Sequence, residues 1–282
     1  MATSVLKTRR RIADIAFTSF CWVTAAIALS ALAAILWSLL VQGIGGLNLN
    51  VFTMSTPAQG STGGLLNAIV GSALMCAVAM VLAVSVGVLA GTWLAEYGAN
   101  SVYAQFVRFV SDILLSAPSV LVGVVIWMVL VKPFGGFSAL AGSVALAVIA
   151  LPIITRTTED VLRLQPTSLR ESGMALGTPM WTTIRTILWK SASTGMLTAI
   201  LLAFARISGE TAPLLFTALG NQFFSLNLTQ PMANLPVVIY NFALSADDGW
   251  QKLAWAGALI IAVAVLSINI VARIVGREQR RS

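Results

Sequence analysis

An all-α polytopic membrane fold with six transmembrane helices is what this sequence predicts, and three observations carry the prediction. Of 282 residues, 58% are hydrophobic and only 10% are charged, whereas a soluble domain carries about 25% charged residues. Positions 15–95 contain no Asp, Glu, Lys or Arg. The formal charge of +7, from 17 Lys plus Arg against 10 Asp plus Glu, is spread unevenly between the segments that separate the apolar runs. Such a composition excludes a soluble α/β enzyme, a disulfide scaffold and a disordered tail.

A helix needs roughly 20 apolar residues to cross about 30 Å of hydrocarbon. The first run, about 15–41, follows a basic N-terminal tail (1–14) with Lys7, Arg9, Arg10 and Arg11. It is much longer than the 7–15-residue apolar part of a signal peptide and reads as an uncleaved first span. The second, about 65–94, is rich in Gly, Ala and Ser, which permits close helix packing. The third, about 113–131, contains Pro118, and the fourth, about 137–154, contains Pro152. Only Pro133 to Gly136 separates these two, which predicts a tight hairpin. The fifth, about 191–216, holds Arg206, Glu210 and Pro213; the sixth, about 253–275, ends in a basic tail, 276–282.

Charge placement orients the six spans. With both termini cytoplasmic, fourteen of the 17 basic residues fall inside, Arg206 lies within a span, and only Lys132 and Lys252 fall outside. The same charge on a soluble chain would suggest nucleic acid; here it marks the cytoplasmic ends of helices. There is no His, hence no His-based metal site, proton relay or pH switch. Cys21 and Cys76 sit in apolar runs and act as small hydrophobes. No phosphate-binding Gly-x-x-x-x-Gly-Lys-Ser/Thr loop occurs, and no hydrolase triad or metal cluster is evident. The chain is expected to be non-catalytic, with no cofactor or metal of its own. The external stretch 217–252 is semi-apolar and suits either a short re-entrant helix or a loop packed on the bundle.

The cytoplasmic segment 155–190 carries its own signals. Thr157 with Glu159 and Asp160 suggests a helix start, and Pro166 ends that run. Thr167 or Ser168 suits the cap of a short helix with Leu169, Met174 and Leu176 on its apolar side. Gly177 permits a left-handed terminus, and Thr178–Pro179 opens another helix bearing Trp181, Ile184, Ile187 and Leu188. Two short helices about a Gly turn make a knob, either docked in a partner's groove or packed on its own bundle.

Two runs in this region carry a resemblance. Glu171, Ala175 and Gly177 match the Glu-Ala-Ala…Gly coupling motif of the permease subunits of binding-protein-dependent ABC importers. Ser172 and Gly173 stand where that motif favours Ala, and Trp189–Lys190 replaces its closing Leu-Pro. The second run, Ala205 to Ala218 (ARISGETAPLLFTA), resembles the permeases of phosphate importers. The resemblance implies a MetI-like permease fold whose cytoplasmic coupling helix, with Glu171, Ala175, Leu176 and Gly177, receives motion from an ATPase. It implies a second permease subunit similar to PstC, an ATPase dimer similar to PstB that holds the ATP and Mg, and an external phosphate-binding protein similar to PstS. It also implies phosphate passage at Arg206 and Arg156, in a bacterial inner membrane.

The residues add a chemical reason. Arg206 and Glu210, four apart, share a helix face, and counting from Ser191 places Arg206 about 22 Å along the fifth span. Burying such a charge is tolerable where it is paired or faces protein or a water-filled route. A guanidinium fork suits tetrahedral oxyanions. Glu210 would orient Arg206 and temper its attraction, Thr211 adds a hydroxyl, and Gly209 with Pro213 loosens the helix. Alternatives remain open at this level: a pair that merely fixes packing, a permease for sulfate or molybdate, a secondary anion transporter, or a membrane scaffold.

Overall fold

The computed structural model describes residues 2–98 and 101–278, with side chains at 7, 9–98 and 101–271. All regular structure among them is helical. In chain order the helices are α1 (Ala2–Gly46), α2 (Leu49–Thr53), α3 (Leu66–Glu96), α4 (Val102–Ser116), α5 (Ser119–Ile126), α6 (Ala139–Arg163), α7 (Thr167–Ala175), α8 (Met180–Thr183), α9 (Trp189–Ser208), α10 (Ala212–Thr217), α11 (Leu235–Ala243) and α12 (Asp248–Glu278). A π-helical turn, Trp127–Val131, extends α5, and another, Ile184–Leu188, joins α8 to α9 without a break. Five helices are long and apolar enough to cross a membrane, and a bent pair, α4 with α5, makes a sixth when counted as one span.

The core is the packing of α3 on α6, with α9 completing it. Met75, Ala79 and Ala83 of α3 meet Leu146, Ala150 and Ile154 of α6 and Ala203 and Ile207 of α9, all buried. Small side chains bring the backbones together. A Cβ at Gly91 would stand 2.5 Å from the carbonyl oxygen of Thr155 and 2.8 Å from Thr158 Cβ. Attraction between helices in lipid is mostly close packing of this kind. By contrast α1 is exposed along its apolar length and packs only near its end, where Gly43 lies against Leu259 of α12 and Gly46 against the backbone of Lys252.

Four local expectations are revised. The basic tail expected at 1–14 is helical from Ala2 onward, continuous with the first apolar run. The third apolar run is not one straight helix: its first residues, 113–116, end the amphipathic α4, and α4 and the α5 segment meet at 108°. Ala117, before Pro118, is extended (φ −68°, ψ 137°), as the proline ring demands of its predecessor. No helix starts at Thr157; α6 continues through Pro152 to Arg163, since neighbouring helices keep a Pro-containing span ordered. Nor does the fifth span begin at Ser191. It runs unbroken from Met180 to Ser208, because Trp189–Lys190 in place of Leu-Pro leaves nothing to interrupt the helix. The expected basic C-terminal tail falls largely beyond the described residues, and the side chains of Arg273, Arg277, Arg280 and Arg281 lie outside them.

Other features match the local chemistry. In the 133–136 turn Gly135 takes φ +77°, and Ser138 caps α6 by accepting from the Ala141 N–H. The external 217–252 stretch contains α11, with Asn234 accepting from the Val237 N–H at its start. The loop before α11 satisfies the first amides of α6, Ala139 N–H donating to Gln230 and Leu140 N–H to Leu228. Asn67, 3% exposed, ties two external loops: its amide donates to Thr56 Oγ1 and to the carbonyls of Asn221 and Gln222, and its oxygen accepts from the Thr56 N–H.

Candidate translocation site and coupling surface

α9 stops at Ser208, with Gly209 as its C-cap. The chain turns through Glu210 and Thr211 and resumes helix at Ala212, where Pro213 occupies the first turn and its missing N–H costs nothing. At this break Arg206 Nη2 lies 3.1 Å from Glu210 Oε1. The two side chains differ in setting: that of Glu210 is 9% exposed and that of Arg206 57%. One guanidinium nitrogen is thus paired with a carboxylate sunk in the protein, while most of the Arg206 side chain is exposed. Thr211 adjoins the pair, and its carbonyl accepts from the Leu214 and Leu215 amides to start α10.

The depth of Arg206 follows from helix register. Gly195 of α9 lies against Val161 of α6, and the two helices are antiparallel. Eleven residues on, at about 1.5 Å each, Arg206 stands level with Ala150, inside the span and about 9 Å further from the cytoplasmic end than Arg156. The two arginines are therefore at different levels and share no partner.

Arg156 belongs to another cluster. Its Nε is 3.2 Å from Asp112 Oδ1 and its Nη1 3.4 Å from Glu159 Oε2. Glu159, 1% exposed, also accepts from Arg108 Nε at 2.7 Å and forms an ion pair with Arg163 Nη2 at 2.8 Å. Three guanidinium groups surround one buried carboxylate, with Asp112 beside Arg156 as a further acid. With Asp160 on the next residue of α6, three acids balance the three arginines at this helix end.

The coupling region is not the expected pair of short helices but one, α7, turned at Gly177 onto the start of the fifth span. α7 runs from Thr167 to Ala175 with Pro166 at its N-cap, so neither Thr167 nor Ser168 caps it, as the sequence had suggested. Pro166, with its fixed φ, holds the turn by itself. Gly177 takes φ +71°, the left-handed terminus its sequence position predicts. Glu171, Ala175, Leu176 and Gly177 are all exposed, as are Met174 and Trp181. Gly173 alone of α7 is buried, against Thr183 of α8, and Thr178 Oγ1 donates to its carbonyl at 2.7 Å.

Sequence reasoning missed what holds α7 to the membrane domain. Arg170 on α7 donates through Nε and Nη2 to the two carboxylate oxygens of Glu96, at 2.8 and 2.7 Å. It also donates to the carbonyls of Gln165 and Leu162, at 2.9 and 2.8 Å. The Glu96 hydrogen bond raises the Arg170 pKa above its ordinary value, against the opposing effect of burial. Seventy-four residues separate the partners. The available signal was that Glu96 breaks the long uncharged stretch that precedes it. Asp112 and Arg108 were likewise unremarkable as sequence, and Glu159 stood out only as a helix-start acid, a role it does not have near the end of α6.

A helical bundle with an intramembrane helix break, a charged pair at that break and an exposed cytoplasmic knob defines a membrane subunit of a transporter. Residues 86–281 match the family model described as binding-protein-dependent transport system inner membrane component. The phosphate transport system permease protein PstA of Xylella fastidiosa (strain Temecula1) is 50% identical over 273 residues, 96% of this chain and 95% of that protein. PstA of Pasteurella multocida is 50% identical, covering 85% of this chain and 86% of its own. PstA 1 of Mycobacterium tuberculosis is 32% identical over 98% and 92%. The chain belongs to the binding-protein-dependent transport permeases and, within them, to the PstA family, multi-pass proteins of the bacterial inner membrane. Its fold is also that of the MetNI methionine ABC transporter in inward-facing conformations: TM-score 0.63 at 19% identity, covering 76% of this chain and 96% of that one.

Proposed function

We propose that this chain is a membrane-spanning permease subunit of an ATP-driven importer, and that it carries inorganic phosphate into the cytoplasm. The observation that carries the reading is the Arg206–Glu210 pair at the α9–α10 break, with the Arg206 side chain exposed and its carboxylate partner buried. The names of the curated relatives support phosphate as the cargo.

Arg206 receives the oxyanion through charge-assisted N–H···O bonds. Glu210 fixes the guanidinium and withholds one nitrogen, so the anion is held weakly enough to leave. The Thr211 hydroxyl offers a further donor. Arg156, nearer the cytoplasm, meets the anion on its way out. Work enters through Glu171, Ala175, Leu176 and Gly177, on which an ATPase dimer similar to PstB docks with its ATP and Mg. A second permease similar to PstC completes the route, and a binding protein similar to PstS delivers phosphate from outside.

The test is reconstitution with these partners in vesicles. ATP-dependent phosphate uptake is expected, with sulfate a poor competitor. Arg206→Gln should lower uptake at least about tenfold, the factor carried by one hydrogen bond to a charged group, in a complex that still assembles. Unchanged kinetics in the variant would remove Arg206 from the route. Equal competition by sulfate or molybdate would reassign the cargo, and uptake without the ATPase would make this a secondary transporter.

A further inference from the structure

The geometry points to the Glu96–Arg170 pair as the strut that carries motion of the coupling helix α7 into the membrane helices α3 and α6. This inference rests on the transporter reading above, though not on phosphate as the cargo. A load applied to the exposed face of α7 must reach the spans through whatever holds the opposite face. Apolar packing there leads mainly to the fifth span: Gly173, the one buried residue of the nine, lies against Thr183 at the start of that span, and the half-buried Leu169 packs on a cluster of Leu162, Ile184 and Leu188.

Arg170 supplies what packing does not. Its fork engages both oxygens of a carboxylate that is 1% exposed, on the last residue of α3. The same guanidinium binds the carbonyl of Leu162, in the last turn of α6, and that of Gln165 just beyond it. One side chain on α7 therefore grips the cytoplasmic ends of two core spans. Paired parallel hydrogen bonds resist rotation as well as separation, which a point charge on a flexible stem does not. α3 and α6 are packed backbone to backbone through Gly91, so displacement of their shared end moves them as one body. Along α6 that body includes Arg156. Arg170 and Glu96 thus act as positioning residues, with no contact to the transported anion.

Arg170→Lys keeps the charge and loses the fork, and Glu96→Gln keeps the shape and loses the charge. In the complete reconstituted importer each should still assemble with the ATPase and leave the KM for phosphate unchanged. Each should raise the ATP hydrolysed per anion imported by about fivefold, the factor that one lost hydrogen bond carries in an equilibrium. The double variant should be no worse than either single one, because both remove the same link. Spin labels at Ser172 on α7 and Leu89 on α3, with Cys21 and Cys76 replaced by Ala, read the strut without reference to cargo. Their separation should stay constant between nucleotide-free and ATP-bound complexes of the parent protein and change by several ångström in Arg170→Lys. Unchanged stoichiometry, losses that multiply in the double variant, failure of Arg170→Lys to assemble, or a separation insensitive to Arg170→Lys would each overturn the strut. Failure of the parent complex to import phosphate would instead sink the cargo assignment and leave the label measurement standing.

Discussion

Glu159→Gln isolates one electrostatic term, because the amide fills the carboxylate's space and leaves packing unchanged. Glu159 Oε1 accepts from Arg108 Nε at 2.7 Å and pairs ionically with Arg163 Nη2 at 2.8 Å, and Oε2 lies 3.4 Å from Arg156 Nη1. Removing one partner of a buried ion pair costs about 3–5 kcal/mol. The three arginines are not equally buried: their side chains are 17%, 31% and 46% exposed for Arg108, Arg156 and Arg163. Water can take over much of the charge on the last two, whose share is discounted accordingly. The loss is dominated by Arg108 and comes to about 2–3 kcal/mol. Tryptophan-monitored unfolding of the solubilised protein measures it, and the companion variant Arg108→Gln closes a double-mutant cycle. Arg108→Gln should cost markedly less in the Glu159→Gln background than alone, with a coupling of at least about 1 kcal/mol. Additive losses would show that the short Arg108–Glu159 contact contributes no net stability, and the argument from burial would fail.

Two other perturbations follow from the geometry. Gly177→Pro replaces a residue at φ +71° with one locked near −65°; the α7–α8 turn must rearrange, and pull-down of the ATPase with uptake lost together is the expected outcome, whereas Gly177→Ala should cost only about 1–2 kcal/mol of local strain. Gly91→Leu drives a side chain into Thr155 and Thr158; overpacking at such a crossing costs about 1–3 kcal/mol or more, seen as lower yield of folded protein and a lower unfolding midpoint, while Leu at the exposed Gly45, where a Cβ meets nothing, should be neutral.

Membrane class, near-complete span count and the left-handed turn at Gly177 were legible because each depends on a local property: apolar length against bilayer thickness, or one residue's freedom at positive φ. Helix limits were less so. The bend at Pro118 and the continuity through Pro152 involve the same residue type with opposite outcomes. What differs is the company: α6 is buried on α3 and α9 along most of its length, so its backbone stays helical past the ring, while Ala117 is free to extend.

The sequence by itself determined that this chain lives in a membrane, that an Arg and a Glu four residues apart lie within its fifth apolar run, and that a short helix ending in a Gly turn follows the fourth. Tertiary structure alone decided which charges meet. Glu96 and Arg170, and Arg108 and Glu159, are 74 and 51 residues apart, and no periodicity links positions so distant. Their pairing arises because close packing of α3, α4 and α6 leaves each carboxylate without water, and a buried charge must take the opposite charge that the fold brings to it.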